Sequence, residues 1–133
     1  MKKEEVYGHI DHTLLKAFST TEQIEAIAEE ALKYGTASIC IPTNFVNYIH
    51  NKYKDVNICT VIGFPLGYST TPIKVAEAKQ AIAMLQEAGI SNLVMLTGDS
   101  EQAASRTAEM LGITQYHAQV LPEDKHRYVE ELK

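Results

Sequence analysis

The feature that most constrains this chain is a change of apolar rhythm that repeats along its length. Short runs that are apolar on both faces alternate with segments whose apolar residues return at helical spacing, which reads as repeated strand–helix units. Five such units can be traced, and units of this kind build a parallel sheet, because each helix carries the chain back to the edge where the next strand begins.

The first strand is expected over His9 to Leu14, followed by a helix opened by Ser19 with Glu22 three residues on, a capping-box spacing. Ile24, Ile27, Ala28, Ala31 and Leu32 then fall on one stripe, and Gly35 suits the left-handed C-cap that ends the helix. Ala37 to Ile41 predicts a second strand covered on both faces, and Thr43 after Pro42 opens a shorter helix carrying Val46 and Ile49. Val56 to Phe64 is rich in β-branched residues and predicts a third strand, stopped by Gly63, Pro65 and Gly67. Thr71 with Pro72 starts a long helix whose inner face would hold Val75, Ala78, Ile82 and Leu85, ended by Gly89. Asn92 to Leu96 is the fourth strand. Asp99 or Ser100 caps a helix with a face of Ala103, Ala104, Thr107, Ala108 and Leu111, and Gly112 closes it. Thr114 to Val120 is the fifth strand, and Pro122 opens a last helix with Val129 and Leu132 inward.

At 133 residues the pattern fits a single α/β domain spanning 1–133. Five units are too few to close an eight-stranded barrel. The expected architecture is therefore one three-layer domain with an open, parallel five-stranded sheet, flavodoxin-like or haloacid-dehalogenase-like. The alternative is a (βα)5 half-barrel whose bare sheet face would drive self-association.

Composition removes several function classes. A formal net charge of −5 leaves no basic surplus for a nucleic-acid backbone, so no nucleic-acid partner is expected. The charged start Met1-Lys2-Lys3-Glu4-Glu5 leads into no apolar signal run, and no stretch approaches the roughly 20 apolar residues of a membrane span, so a cytoplasmic setting without membrane contact is expected. Among the five histidines, His9 and His12 share a strand while His50 and His126 fall on separate helices; none forms a pair one helical turn apart. Cys40 and Cys59 read as buried thiols within apolar runs. No metal and no cofactor are expected.

The motifs IDHTLLK at 10–16, SICIPTNFV at 38–46 and CTVIGFPLG at 59–67, followed by Lys74 and Glu77, make the segment of about 8–82 resemble deoxyribose-phosphate aldolase. The resemblance implies the first three strands and helices of a (βα)8 barrel, with Asp11, Thr13 and Cys40 at the substrate end, where polar side chains help hold the sugar's hydroxyls. The family's chemistry needs a lysine that forms a Schiff base with the carbonyl. It lies on the sixth strand, and no residue of the matched segment corresponds to it; Lys74 belongs to a helix start.

The motifs LQEAGI at 85–90, VMLTGDS at 94–100, LGI at 111–113 and LPEDK at 121–125 make the segment of about 83–133 resemble the phosphorylation domain of heavy-metal P-type ATPases, of the haloacid-dehalogenase-like fold. The resemblance implies that Thr97 and Lys125 contact the aspartyl phosphate, and that Gly98 lets the backbone come close to it beside Asp99. The alternative for Thr97-Gly98-Asp99 is a strand-to-helix turn with Asp99 as cap. The DKTGT aspartate and the GDGxND loop of that family are not found in this sequence.

The two resemblances meet within one helix, around Gln80 to Met84, as they would in an engineered chimera of two superposable fragments. The expected function is accordingly a chimeric scaffold without a complete active site, not an enzyme and with no catalytic residue. Two alternatives stay open. One is residual aldolase-type carbonyl chemistry on deoxyribose-phosphate-like sugars; the other is weak phosphate or nucleotide binding, with an anion held between Thr97 and Lys125.

Overall fold

The structure, a computed structural model, describes residues 2–124 together with Arg127 and Tyr128. Lys125, His126, Val129, Glu130, Glu131 and Leu132 lie outside the described residues, and with them the greater part of the expected last helix. The described chain forms two compact units, residues 2–61 with Arg127 and Tyr128, and residues 62–124.

In the first unit a short helix α1 (Lys3–Tyr7) precedes β1 (Asp11–Thr13), α2 (Thr21–Tyr34), β2 (Ser38–Cys40), α3 (Val46–Lys52) and β3 (Ile58–Cys59). The helix α2 forms where the apolar stripe predicts it, but its cap lies one residue later than Ser19. Thr20 accepts from the Gln23 backbone N–H while the Gln23 side chain accepts from the Thr20 N–H, so both N-terminal donors are satisfied. Ile24, Ile27, Ala28 and Ala31 are buried, whereas Leu32 is 48% exposed and lies off the inward face. Gly35 at φ 67° ends the helix in the left-handed region, its N–H bonded to the Ala31 carbonyl. Thr43 sits in a 3-10 turn (Thr43–Phe45) rather than capping a helix; its hydroxyl bonds that of Thr60 at 2.9 Å.

The three strands are parallel and lie in chain order, β1-β2-β3. Asp11 is opposite Ser38, Thr13 opposite Cys40, and Cys40 opposite Cys59. Alternation then sorts the side chains. His12, Ile39, Ile41 and Ile58 take one face, and there Ile39 and Ile41 join Ile24, Ile27, Ala28 and Ala31 of α2, Ile49 of α3 and Val56 in one buried cluster. At the rim Glu25 of α2 accepts from Lys52 Nζ at 2.5 Å and from the Tyr48 hydroxyl, both on α3. The Lys52 hydrogen bond, reinforced by Tyr48, holds the Glu25 carboxyl below its ordinary range.

The second unit contains α4 (Thr71–Glu87), β4 (Val94–Leu96), α5 (Glu101–Leu111) and β5 (Gln115–His117). The strands pair in parallel, Val94 opposite Gln115 and Leu96 opposite His117. Proline in the first turn of α4 costs no hydrogen bond. Of the expected inner face only Ala78 is fully buried, with Ala81 beside it; Val75, Ile82 and Leu85 are half-buried. Ser100 caps α5 through the Ala103 N–H, Ala104 and Ala108 are its buried residues, and Gly112 at φ 69° closes it.

The α/β class with parallel strands is therefore what the chain adopts, and the expected continuous five-stranded sheet is corrected to a sheet of three and a sheet of two. The reason lies at the end of β3. Ile41 N–H still bonds the Cys59 carbonyl, but the Ile41 carbonyl accepts the Thr60 hydroxyl at 2.9 Å, so a side chain takes the next acceptor of the ladder. Gly63 and Gly67, both at φ 67°, then take left-handed backbone that does not continue a strand. The order β1-β2-β3 also departs from the flavodoxin-like order, in which the second strand lies outside the first. It is that of an arc of a (βα) barrel, although no closed barrel forms among the described residues.

Ile39, fully buried between strand and helix, tests this account. Ile39→Ala should lower the unfolding free energy by about 2–5 kcal/mol, read as a lower urea midpoint at unchanged slope.

Candidate functional site

The face of the three-stranded sheet opposite the isoleucine cluster is polar. By register and alternation it carries Asp11 and Thr13 of β1, Ser38 and Cys40 of β2, and Cys59 of β3. Apolar residues fill the helix-covered face, so the chain's alternation leaves short hydrogen-bonding and thiol side chains for the other. Ser38 and Cys40 are buried, at 6% and 4% exposure, while Asp11 and Thr13 are exposed. The Ser38 hydroxyl donates to Asp11 Oδ1 at 2.6 Å, a charge-assisted contact that fixes the carboxylate against β2. Thr13 Oγ1 donates to the Asp11 carbonyl at 2.8 Å. One carboxylate oxygen of Asp11 and the sulfurs of Cys40 and Cys59 all lie within 4.8 Å of one another. The two cysteines are thiols and not a disulfide.

The three residues singled out at the aldolase-like end, Asp11, Thr13 and Cys40, are thus brought together. Ser38 and Cys59 join them and were missed. Ser38 had no signal beyond its place two residues before Cys40 in a strand, and Cys59 reads as a core thiol until the register sets it beside Cys40.

In the second unit, Thr97, Gly98 and Asp99 form the turn between β4 and α5. Thr97 Oγ1 donates to Asp99 Oδ2 at 2.9 Å and accepts from the Asp99 N–H at 3.2 Å. The backbone is closed as well: Thr97 N–H bonds the His117 carbonyl, and Gln119 N–H bonds the Asp99 carbonyl. Among the described residues, a Cβ at Gly98 would meet the Val120 carbonyl, at 3.7 Å. Ser100, and not Asp99, caps α5, which leaves Asp99 engaged with the turn. Lys125 lies outside the described residues.

Comparison with known proteins bears on both units. The sequence model of the haloacid dehalogenase-like hydrolases matches residues 12–133. The chain belongs to the haloacid dehalogenase-like hydrolase family. This family member is also similar to deoxyribose-phosphate aldolases. It is 55% identical over 84 residues to that of Clostridium botulinum (strain Eklund 17B / Type B), covering 62% of this chain and 38% of the relative. It is 37% identical over 130 residues to that of Caldanaerobacter subterraneus subsp. tengcongensis, covering 91% of this chain and 56% of the relative. Among solved structures, the deoxyribose phosphate aldolase of Aeropyrum pernix superposes with a TM-score of 0.58 at 31% identity, over 71% of this chain and 40% of that one. The chain therefore spans between about two fifths and just over half the length of these relatives.

The aldolase resemblance and the haloacid-dehalogenase-like character of the other are both found, and each reaches past the half assigned to it: the hydrolase match begins at residue 12, and one aldolase match covers 91% of the chain. The expectation that the chain is not an enzyme is overturned, because the family and the relatives are alike enzymatic. That expectation rested on nucleophiles missing from family positions. In a chain covering 38% of a relative, such an absence speaks only for the stretch that was matched.

The burial of the two thiols gives a direct check on the polar face. Cys59 is half-buried and Cys40 almost fully buried, so Ellman's reagent should modify Cys59 first in the native, metal-free protein and Cys40 only on unfolding. Cys59→Ser should remove the fast phase and leave the slow one.

Proposed function

We propose that the chain carries out aldolase-type carbonyl chemistry on deoxyribose-phosphate-like sugars, with Asp11, Thr13 and Cys40 at the substrate end of the three-stranded sheet. The observation that carries this reading is the convergence of those residues on one polar sheet face, in a stretch similar to deoxyribose-phosphate aldolases. Asp11 acts there as a hydrogen-bond acceptor for sugar hydroxyls, held in place by Ser38, and the Thr13 and Cys40 side chains line the same surface. The covalent step belongs to a lysine outside the family position. Its amine adds to the sugar carbonyl and loses water to form a protonated imine. The β-hydroxyl then gives up its proton, the bond between the α and β carbons breaks with release of an aldehyde, and the enamine left behind takes up a proton and is hydrolysed to free the lysine.

Sodium borohydride added with deoxyribose 5-phosphate should reduce that imine and leave one irreversible adduct by intact mass, mapped to a single lysine by peptide digestion. Unmodified protein would rule the reading out. Asp11→Ala should slow trapping by about 10- to 100-fold, the factor that loss of a charge-assisted hydrogen bond of about 1.5–3 kcal/mol produces. Asp11 is exposed, so the substitution leaves the buried cluster intact.

A second reading follows from the hydrolase match. In it the Thr97-Gly98-Asp99 turn binds a phosphate group together with Lys125, with weak phosphate or nucleotide binding as the activity. The Asp99 carboxylate already holds the Thr97 hydroxyl, so an incoming anion must displace it. Titration with inorganic phosphate should shift the NMR amide signals of Thr97, Gly98 and Lys125, and Asp99→Asn should tighten the binding by removing a like charge. Unmoved signals at all three positions count against it.

A further inference from the structure

The polar face of the three-stranded sheet holds a donor set, Asp11, Cys40 and Cys59, whose two thiols sugar binding alone does not explain. Cys40 ends β2 and Cys59 ends β3; they are partners in register, so their side chains leave the sheet on the same side of adjacent strands. Asp11 reaches toward them from β1, and the two sulfurs and one carboxylate oxygen are mutually within 4.8 Å. We propose that Asp11, Cys40 and Cys59 form a binding site for a thiophilic divalent metal ion, with zinc as the reference case, held by two thiolates and one carboxylate with a fourth position open to water.

The donor chemistry selects the ion. Two thiolates favour zinc and its soft relatives over magnesium or calcium, which take oxygen ligands. In a tetrahedral zinc site, Zn–S bonds of about 2.3 Å and a Zn–O bond of about 2.0 Å set the ligand atoms about 3.5–3.8 Å apart. The observed spread of at most 4.8 Å must therefore contract by about 1 Å, a movement within reach of side-chain rotation while the strands stay in place. Binding is balanced by the release of one proton from each thiol to solvent as the Zn–S bonds form.

The surroundings are those of a positioned site. All three ligands stand on strands whose backbones are tied in one ladder, which limits the reorganisation needed on binding. The Ser38 hydroxyl, on a residue 6% exposed, donates to Asp11 Oδ1 at 2.6 Å and so restrains the ligating carboxylate, the part an outer-shell partner plays in metal sites. Cys40 is buried while Asp11 is exposed, so the site has a dry thiolate side and a side from which an ion can enter. The inference shares Asp11 and Cys40 with the aldolase reading but does not rest on it. Its test measures metal rather than turnover, so either can fail alone.

The experiment is an anaerobic titration of the reduced 133-residue chain with Co2+, followed by displacement with Zn2+. One equivalent of Co2+ should produce a sulfur-to-cobalt charge-transfer band in the near ultraviolet, which Zn2+ abolishes. Native mass spectrometry should then show one zinc per chain. Cys40→Ser and Cys59→Ser should each weaken binding at least about tenfold and reduce the band. Asp11→Asn and Ser38→Ala should weaken binding and keep the band, because both sulfurs remain. Should the buried Cys40→Ser variant fail to fold, Cys59→Ser and Asp11→Asn carry the test at less buried positions. The absence of a charge-transfer band in the wild-type chain would overturn the proposal. So would a band unchanged by Cys59→Ser, or cobalt bound with only the weak visible bands of imidazole and oxygen ligation.

Discussion

Sealing of one face of the three-stranded sheet by α2 and α3 is the contact on which the first unit depends. Ile39 of β2 and Ile41 just after it are two residues apart and fully buried, against Ile24 and Ile27 of α2 and Ile49 of α3. Burying a side chain of this size stabilises the fold by about 1.5–3 kcal/mol, and the short segment of β2 and its next residue supplies two. Because alternation has a period of two, fixing Ile39 inward fixes Ser38 and Cys40 to the opposite face, and a one-residue slip would exchange the two sets. The polar face is thus a consequence of the apolar one. Asp11, Thr13 and Cys59 follow by register, since β1 and β3 each pair with β2.

The same strand length explains where the sheet stops. β3 contributes two paired residues before Thr60 turns its hydroxyl onto the Ile41 carbonyl, and Gly63 and Gly67 beyond it take left-handed backbone. A β-branched run such as Val56 to Phe64 carries strong strand propensity, but propensity does not decide whether a neighbouring acceptor goes to a backbone N–H or to a side chain. β4 and β5 consequently pair with each other in a sheet of their own.

The two candidate sites differ in how their polar groups are engaged. At the Thr97–Asp99 turn the hydroxyl, the carboxylate and several backbone groups are bonded to one another, and the residues that look like a phosphate cradle also complete a strand-to-helix connection. On the sheet face, the Ser38 hydroxyl donates to one Asp11 carboxylate oxygen, Cys59 Sγ donates to the Thr60 carbonyl at 3.6 Å, and a carboxylate oxygen and the two sulfurs lie within 4.8 Å of one another. The first arrangement is a finished turn, and the second gathers a carboxylate and two thiols side by side on adjacent strands. Membership of a hydrolase family and similarity to aldolases meet in one chain, and the aldolase-like face carries the more concentrated chemistry.

The sequence by itself determined the local elements: the stripe of α2, the left-handed caps at Gly35 and Gly112, the start of α4 at Thr71-Pro72 and the turn at Thr97-Gly98-Asp99. These rest on interactions within a few residues, so apolar period, cap chemistry and glycine placement are enough to locate them, even where a cap moves from Ser19 to Thr20. Asp11, Thr13 and Cys40 were legible as a group through motif resemblance alone. Only the tertiary structure decided that the strands form sheets of three and two, that Ser38 bonds Asp11, and that Cys59 lies beside Cys40. Register between strands far apart in sequence is fixed by which residues are buried together, and that information belongs to no single segment of the chain.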